Sequence, residues 1–195
     1  MAMSKEEAVI LGLLSQLPGA TGRTKLVKLV YLVDNLWAEH TGRPLTGYRY
    51  HWDNFGPNAV GNQIVATLDG LSDSGLLRSS QGSTPYGNPA YYYRTSQACD
   101  PAQLPLSSDE WMFVQSITKR FGKLNRESMV KVAKATLPMK NAAQGDVLVL
   151  EANPDIEAIQ KRVLSNADLM AQVDESLLSD DPGISLEELK ASYAQ

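Results

Sequence analysis

The chain has 195 residues, 43% hydrophobic and 21% charged, which is ordinary globular usage and enough length to bury a core without metal or disulfide. One cysteine, Cys99, excludes an intrachain disulfide, and with only His40 and His51 beside it a Cys/His zinc site is nearly excluded. The net charge of −4 is unevenly spread: residues 1–140 carry 15 Lys/Arg against 11 Asp/Glu (+4), and residues 141–195 carry 3 against 11 (−8).

At the N-terminus, Ser4 is placed to cap a helix with Glu6 and Glu7 in its first turn, where the helix dipole favours acids. Apolar residues follow at Val9, Ile10, Leu13, Leu14 and Leu17 until Pro18-Gly19. This start has acids where a secretory signal has bases. No run approaches 18 apolar residues, so the expected location is the cytoplasm, with no membrane contact. A second helix starts near Thr24 with Leu26, Leu29, Val30, Val33, Leu36 and Trp37 on a stripe widened by Val27 and Leu32. That width predicts a central helix, ended by Thr41-Gly42-Arg43-Pro44.

Gly47 to Trp52 alternates and is aromatic, the pattern of a short strand. Asn54-Phe55-Gly56-Pro57 reads as a turn in which Gly56 and Pro57 start a third helix, capped by Asn58 and carrying Val60, Ile64, Val65, Leu68 and Leu71. Leu76 to Ser79 and Tyr91 to Arg94 are two further strands, joined by a loop over Ser80 to Pro89. Ser107 and Glu110 form a capping box for a helix with Trp111, Val114, Ile117 and Phe121. Asn125 caps the next, with Met129, Val132, Ala133 and Leu137, which Pro138 limits. Residues 141–195 suggest helices around 155–164, 166–178 and 185–193. The expectation is a mainly α fold of six to eight helices with a small antiparallel sheet and a winged-helix-like hairpin. It comprises a domain over 1–140 and an acidic helical extension over 141–195.

A winged helix reads DNA with the helix before the wing. That segment, Asn58 to Ser74, has no Lys or Arg and carries Asp69 and Asp73, whereas DNA binding needs cations on phosphates. The most basic stretch is Lys119 to Lys140, with Lys119, Arg120, Lys123, Arg126, Lys131, Lys134 and Lys140 against Glu127 alone. A solvated face, an acidic protein partner or the chain's own acidic tail, and nucleic acid all fit it. His51 and Asp53 lack a second catalytic group, His40 suits a helix C-terminus, and Cys99 has no cation beside it to make a thiolate. Tyr91-Tyr92-Tyr93 can stack on bases or bury one face of a strand. There is no P-loop, GxGxxG or GxSxG run, so the familiar enzyme classes lose their sequence support, and neither catalysis nor a cofactor is expected.

The run Lys25-Leu26-Val27-Lys28-Leu29-Val30-Tyr31-Leu32, then Gly42-Arg43-Pro44-Leu45, then Trp52-Asp53-Asn54-Phe55-Gly56-Pro57 resembles the SocA-like, or Panacea, domain of bacterial and phage toxin–antitoxin systems. Phe121-Gly122-Lys123-Leu124-Asn125 matches that family's second block, and Thr136 with Pro138 its close. Leu137 stands where His is common and Met139 where Trp is common. The resemblance implies a non-enzymatic antitoxin that binds a cognate protein toxin, in some members as an adaptor to a protease complex. A winged-helix DNA-binding regulator is the alternative. Candidate partner contacts are the aromatic segment Tyr48, Tyr50 and Trp52, the basic Lys119, Arg120 and Lys123, and the tail stripe Ile156, Ile159 and Val163, continued at Leu169, Val173 and Leu177. The tail's −8 balance would suit a basic toxin.

Overall fold

The computed structural model describes residues 3–84 and 86–155. The helices expected beyond 155, with Ile156, Ile159 and Val163, lie outside the described residues. Among those described there are six α-helices and two three-stranded antiparallel sheets. The chain divides into compact units at 1–153 and 154–195.

Helix α1 (Lys5–Ser15) opens with the expected Ser4 cap, completed as a capping box by Glu7. Every residue from Ala8 to Leu14 is buried. Helix α2 (Arg23–Thr41) is the central helix that its wide stripe predicts: Leu26, Leu29, Val30, Tyr31, Leu32 and Val33 are 1% exposed or less. Helices α4 (Ser108–Phe121) and α5 (Arg126–Lys134) pack on it, and both start at the caps read from sequence, Ser107 with Glu110 and Asn125. Gly122 joins them at a close approach, since a Cβ there would lie 2.8 Å from Leu17 Cδ2.

One sheet is winged-helix-like. A two-residue β1 (Thr21–Gly22) pairs with β5 (Pro89–Thr95), which pairs with β4 (Leu77–Ser83) behind α3 (Gln63–Asp73). The hairpin is longer than its composition suggests. Ser80 to Ser83 and Pro89, expected in a loop, are in ladder register with β-strand partners, so the loop shrinks to 84–88. The backbone here pairs regardless of the small polar side chains, because β5, with Tyr93 buried, supplies the partner along the whole of the largely exposed β4.

The second sheet corrects two readings. Gly56, Pro57 and Asn58 do not start a helix. They form strand β3 (Gly56–Ala59), which pairs with β2 (Tyr50–Asp53). Gly56 has φ +87°, and this left-handed residue closes the hairpin. Helix α3 begins only at Gln63, after a 3₁₀ turn over Val60–Asn62, so Val60 is not on its face and Asn58 does not cap it. Ile64, Leu68 and Leu71 are buried as expected. Pro138 is likewise corrected: it sits in the first turn of a new helix, α6 (Leu137–Asn141), where its missing N–H costs nothing, instead of ending α5.

The third strand of this sheet is β6 (Val147–Leu148), paired with Tyr50 and His51 of β2. Trp52 N donates to Asp146 O at 2.9 Å, Gly145 N to Trp52 O at 2.8 Å, and Asn153 N to Glu39 O at 3.1 Å. Residues 141–153 therefore complete the first unit and are not the start of a helical extension.

The polar side chains of α2 hold these parts together. Lys25, Lys28, Tyr31 and Asp34 are spaced by three. On a helix of 3.6 residues per turn each step drifts by about 60°, so the four sweep half the circumference and reach different neighbours. Lys25 Nζ donates to Gly122 O at 2.5 Å, between α4 and α5. Lys28 Nζ donates to Pro57 O of β3 at 2.5 Å. The Tyr31 and Thr136 hydroxyls share a 2.7 Å bond at the start of α6. Asp34, fully buried, accepts from Thr46 N at 2.7 Å, Thr46 Oγ1 at 2.5 Å and Tyr50 Oη at 2.6 Å. Burial pushes the Asp34 carboxyl up to about 6 despite those three donors.

Three outcomes are expected. Relative to a chain ending at Asn153, one ending at Lys140 loses β6 and the buried Leu148, at a cost of about 2–5 kcal/mol measured by urea unfolding. Gly56→Val, forced to a left-handed φ with Lys134 Cγ 3.3 Å from the new Cβ, destabilises by about 1–3 kcal/mol by the same measure. The raised pKa of Asp34 favours the protonated form in the folded state, so its contribution is complete at acid pH and is lost as pH rises through 6. Compared with Asp34→Asn, the native chain therefore gains on the order of 1 kcal/mol of relative stability between pH 7.5 and 5. A pH-independent difference would contradict this.

Candidate functional site

The aromatic segment proves to be interior. Tyr48 and Tyr50 are 6% and 1% exposed. Tyr48 Oη donates to Thr67 Oγ1 at 2.7 Å, Tyr50 Oη is committed to Asp34, and the Tyr31 and Tyr50 rings meet edge to face at 5.2 Å. Burial holds both hydroxyls well above the usual tyrosine range. They brace the core and offer no contact surface; Trp52 is half-buried. Alternation alone could not say which face of this segment is covered: Tyr48 and Tyr50, two residues apart, share the buried face, where Asp34 of α2 meets Tyr50.

Lys119, Arg120 and Lys123 are exposed together at the C-terminal end of α4 and the turn after it. Beside them a shallow cleft of about 320 Å³ is lined by Leu36, Arg120, Phe121, Val132, Leu137 and Lys140, among others. Leu137, at the position where the family has His, is 49% exposed, while Met139, in place of Trp, is buried.

Two clefts that sequence reasoning missed flank the first turn of α2. One, of about 410 Å³, is bounded by Arg23, Lys28, Asp53, Phe55, Asn58 and Asn62, with others. The second, of about 370 Å³, shares Arg23 and Thr24 and adds Lys25, Tyr91, Tyr92 and Arg126. Arg23 lies over the Tyr91 ring at 4.7 Å and Arg126 over Phe55 at 5.8 Å. The signal for the clefts was present as cations on an otherwise apolar stripe. Their convergence depends on the β2–β3 hairpin, which the sequence reading had placed in a helix start.

Burial lowers the Lys28 amine to about 8, with Asp53 opposing and Lys134 reinforcing the shift. Cys99 is half-buried and its thiol is raised by burial and by Asp100, which opposes thiolate formation as expected. His40 sits in the last turn of α2 with its ring 6.5 Å from Phe113. Among the described residues no three of His, Cys, Asp and Glu are grouped to hold a metal ion, and no helix is long and apolar enough to cross a membrane.

Residues 26–136 match the family model described as antitoxin SocA-like, Panacea domain. No curated protein and no solved structure matches the chain. The matched span runs from Leu26 in the first turns of α2 to Thr136, the partner of Tyr31. It contains both hairpins, the two arginine-lined clefts except for Gly22, Arg23, Thr24 and Lys25, and the exposed basic end of α4. A match over more than half of the chain, on a fold that joins the resembling blocks through α2, makes this protein a member of the SocA-like, Panacea-domain antitoxin family.

Proposed function

We propose that this antitoxin neutralises a cognate protein toxin by direct binding in the cytoplasm, as a binding protein and not as a catalyst. One observation carries the reading beyond family membership. The polar residues of the resembling α2 block, Lys25, Lys28 and Tyr31, are spent on Gly122, Pro57 and Thr136 inside the fold. The motif is thus a scaffold device, and recognition falls to exposed faces that the scaffold does not need.

Among the faces read from sequence, the basic end of α4 meets that requirement. Lys119, Arg120 and Lys123 are exposed, next to a cleft of mixed lining in which Leu36, Phe121, Val132 and the exposed Leu137 stand beside Glu39 and Lys140. A cationic rim beside apolar surface suits a protein partner with an acidic face, through steering and fixed register. Delivery of the bound toxin to a protease, which the family resemblance also suggests, would need the same holding surface. The DNA-regulator reading is disfavoured by α3. The helix before the wing has no Lys or Arg and exposes Asp69 and Asp73, against the phosphates it would have to approach.

The experiment is co-expression with a neighbouring reading frame that is toxic alone. Rescue and co-purification are expected, and a Lys119→Glu/Arg120→Glu/Lys123→Glu variant with an unchanged melting temperature should bind the toxin at least tenfold more weakly. Rescue with no physical complex would sink direct binding. Full affinity in the triple variant would remove this face from the interface. Specific duplex binding that falls by about one log unit per phosphate contact as salt rises tenfold would favour the regulator.

A further inference from the structure

The clefts around Arg23 gather charge that the fold does not neutralise. Arg23, Lys25, Lys28 and Arg126 line them, with Lys134 beside Lys28, and Asp53 is the one carboxylate in either lining. Among the described residues none of these five cations is within ion-pair distance of a carboxylate, and Asp53 acts on Lys28 only from longer range. Three of the ammonium groups are aimed by carbonyls: Lys25 by Gly122 O, Lys28 by Pro57 O and Lys134 by Asn54 O, the last at 3.1 Å. A carbonyl orients an ammonium group but leaves its charge in place. Lys28 is only 3% exposed, so that charge stands in a poorly solvated wall.

The two guanidinium groups are oriented by rings. Stacking on Tyr91 and Phe55 uses the flat face of each and leaves N–H donors at the edge for an oxyanion. Arg23 also stands near Tyr93, and its five N–H groups give it donors to spare. Phe55 and Tyr92 remain 59% and 38% exposed, large ring faces on the rims of the same clefts. Asn58, Asn62 and Asp53 add neutral and acceptor groups at one wall.

We infer that these adjoining clefts bind a nucleoside polyphosphate, with the phosphates between Arg23 and Arg126, the buried Lys28 adding its charge from the wall, and the base against an exposed ring. Each cleft has the volume of a small-ligand site. A polyphosphate matches the charge because it puts several negative charges on adjacent groups, whereas a peptide or a nucleic-acid strand delivers one per residue along an extended track. On the α3 side, where Val65 joins one lining, no cation continues such a track; on the other side the exposed Lys119, Arg120 and Lys123 precede Arg126, so a single strand is the ligand the test has to separate from a nucleotide. This inference stands apart from the antitoxin reading and holds whether or not toxin is bound through α4.

The test is isothermal titration of the full chain with ATP, AMP and a twelve-nucleotide single strand, alongside melting curves. ATP is expected to bind saturably and at least tenfold more tightly than AMP. Arg23→Ala and Arg126→Ala should each weaken ATP at least tenfold. Arg126→Lys should keep part of the loss from appearing, and Arg43→Ala, at the far end of α2, should change nothing. Arg126 is exposed, so its replacement leaves the fold intact and the readout clean. Absence of saturable ATP binding at millimolar concentration, equal affinity for AMP and ATP, or unchanged ATP affinity in both alanine variants would overturn the site. So would a single strand that binds more tightly than ATP through the same arginines, since the face would then be a nucleic-acid interface.

Discussion

The buried carboxylate of Asp34 is the constraint on which this domain turns. A charge-bearing group with no exposure must find its hydrogen bonds inside, and the three donors that meet it come from Thr46 and Tyr50. Those donors fix the loop after α2 and the first residue of β2. The strand then carries β3 on one side and β6 on the other, and β3 supplies the carbonyl that receives Lys28. A single side chain thus sets the position of a sheet that joins a local hairpin, β2–β3, to a strand nearly a hundred residues further along the chain.

Much of this was legible in the residues. The caps at Ser4, Ser107 and Asn125, the wide apolar stripe of α2 and the Ile64–Leu68–Leu71 face of α3 follow from local rules, which hold because their partners lie within one helical turn. What escaped was non-local. Gly56-Pro57-Asn58 has the composition of a helix start, and it is a strand because β2 lies opposite to receive it. Tyr48 and Tyr50 alternate like a half-exposed strand, and they are interior because α2 presents Asp34 to one of them. Leu148 could not be assigned to the sheet, since a two-residue strand has no periodicity to read.

The same contrast separates scaffold from surface. Within the matched span, Lys28 and Tyr31 hold α2 to its surroundings, and Lys25 does so just outside it. The basic end of α4, the exposed rings of Phe55 and Tyr92 and the serine-rich outer strand of the wing bear little of that duty. Substitution there alters charge and shape without disturbing the tethers, which is the arrangement a binding protein needs if one framework is to serve different partners.

The short strand β6 has a mechanical consequence. It runs antiparallel to β2, with Leu148 opposite Tyr50 and Val147 opposite His51. Tension applied from the C-terminal side meets the Asn153–Glu39 backbone bond first and then the rung at Leu148. Each rung released lies against the strand that begins at Tyr50, the residue bonded to Asp34. The domain therefore has a directional weakness: traction on its tail is transmitted to the buried latch at its centre, while the capped and deeply packed α1 end resists.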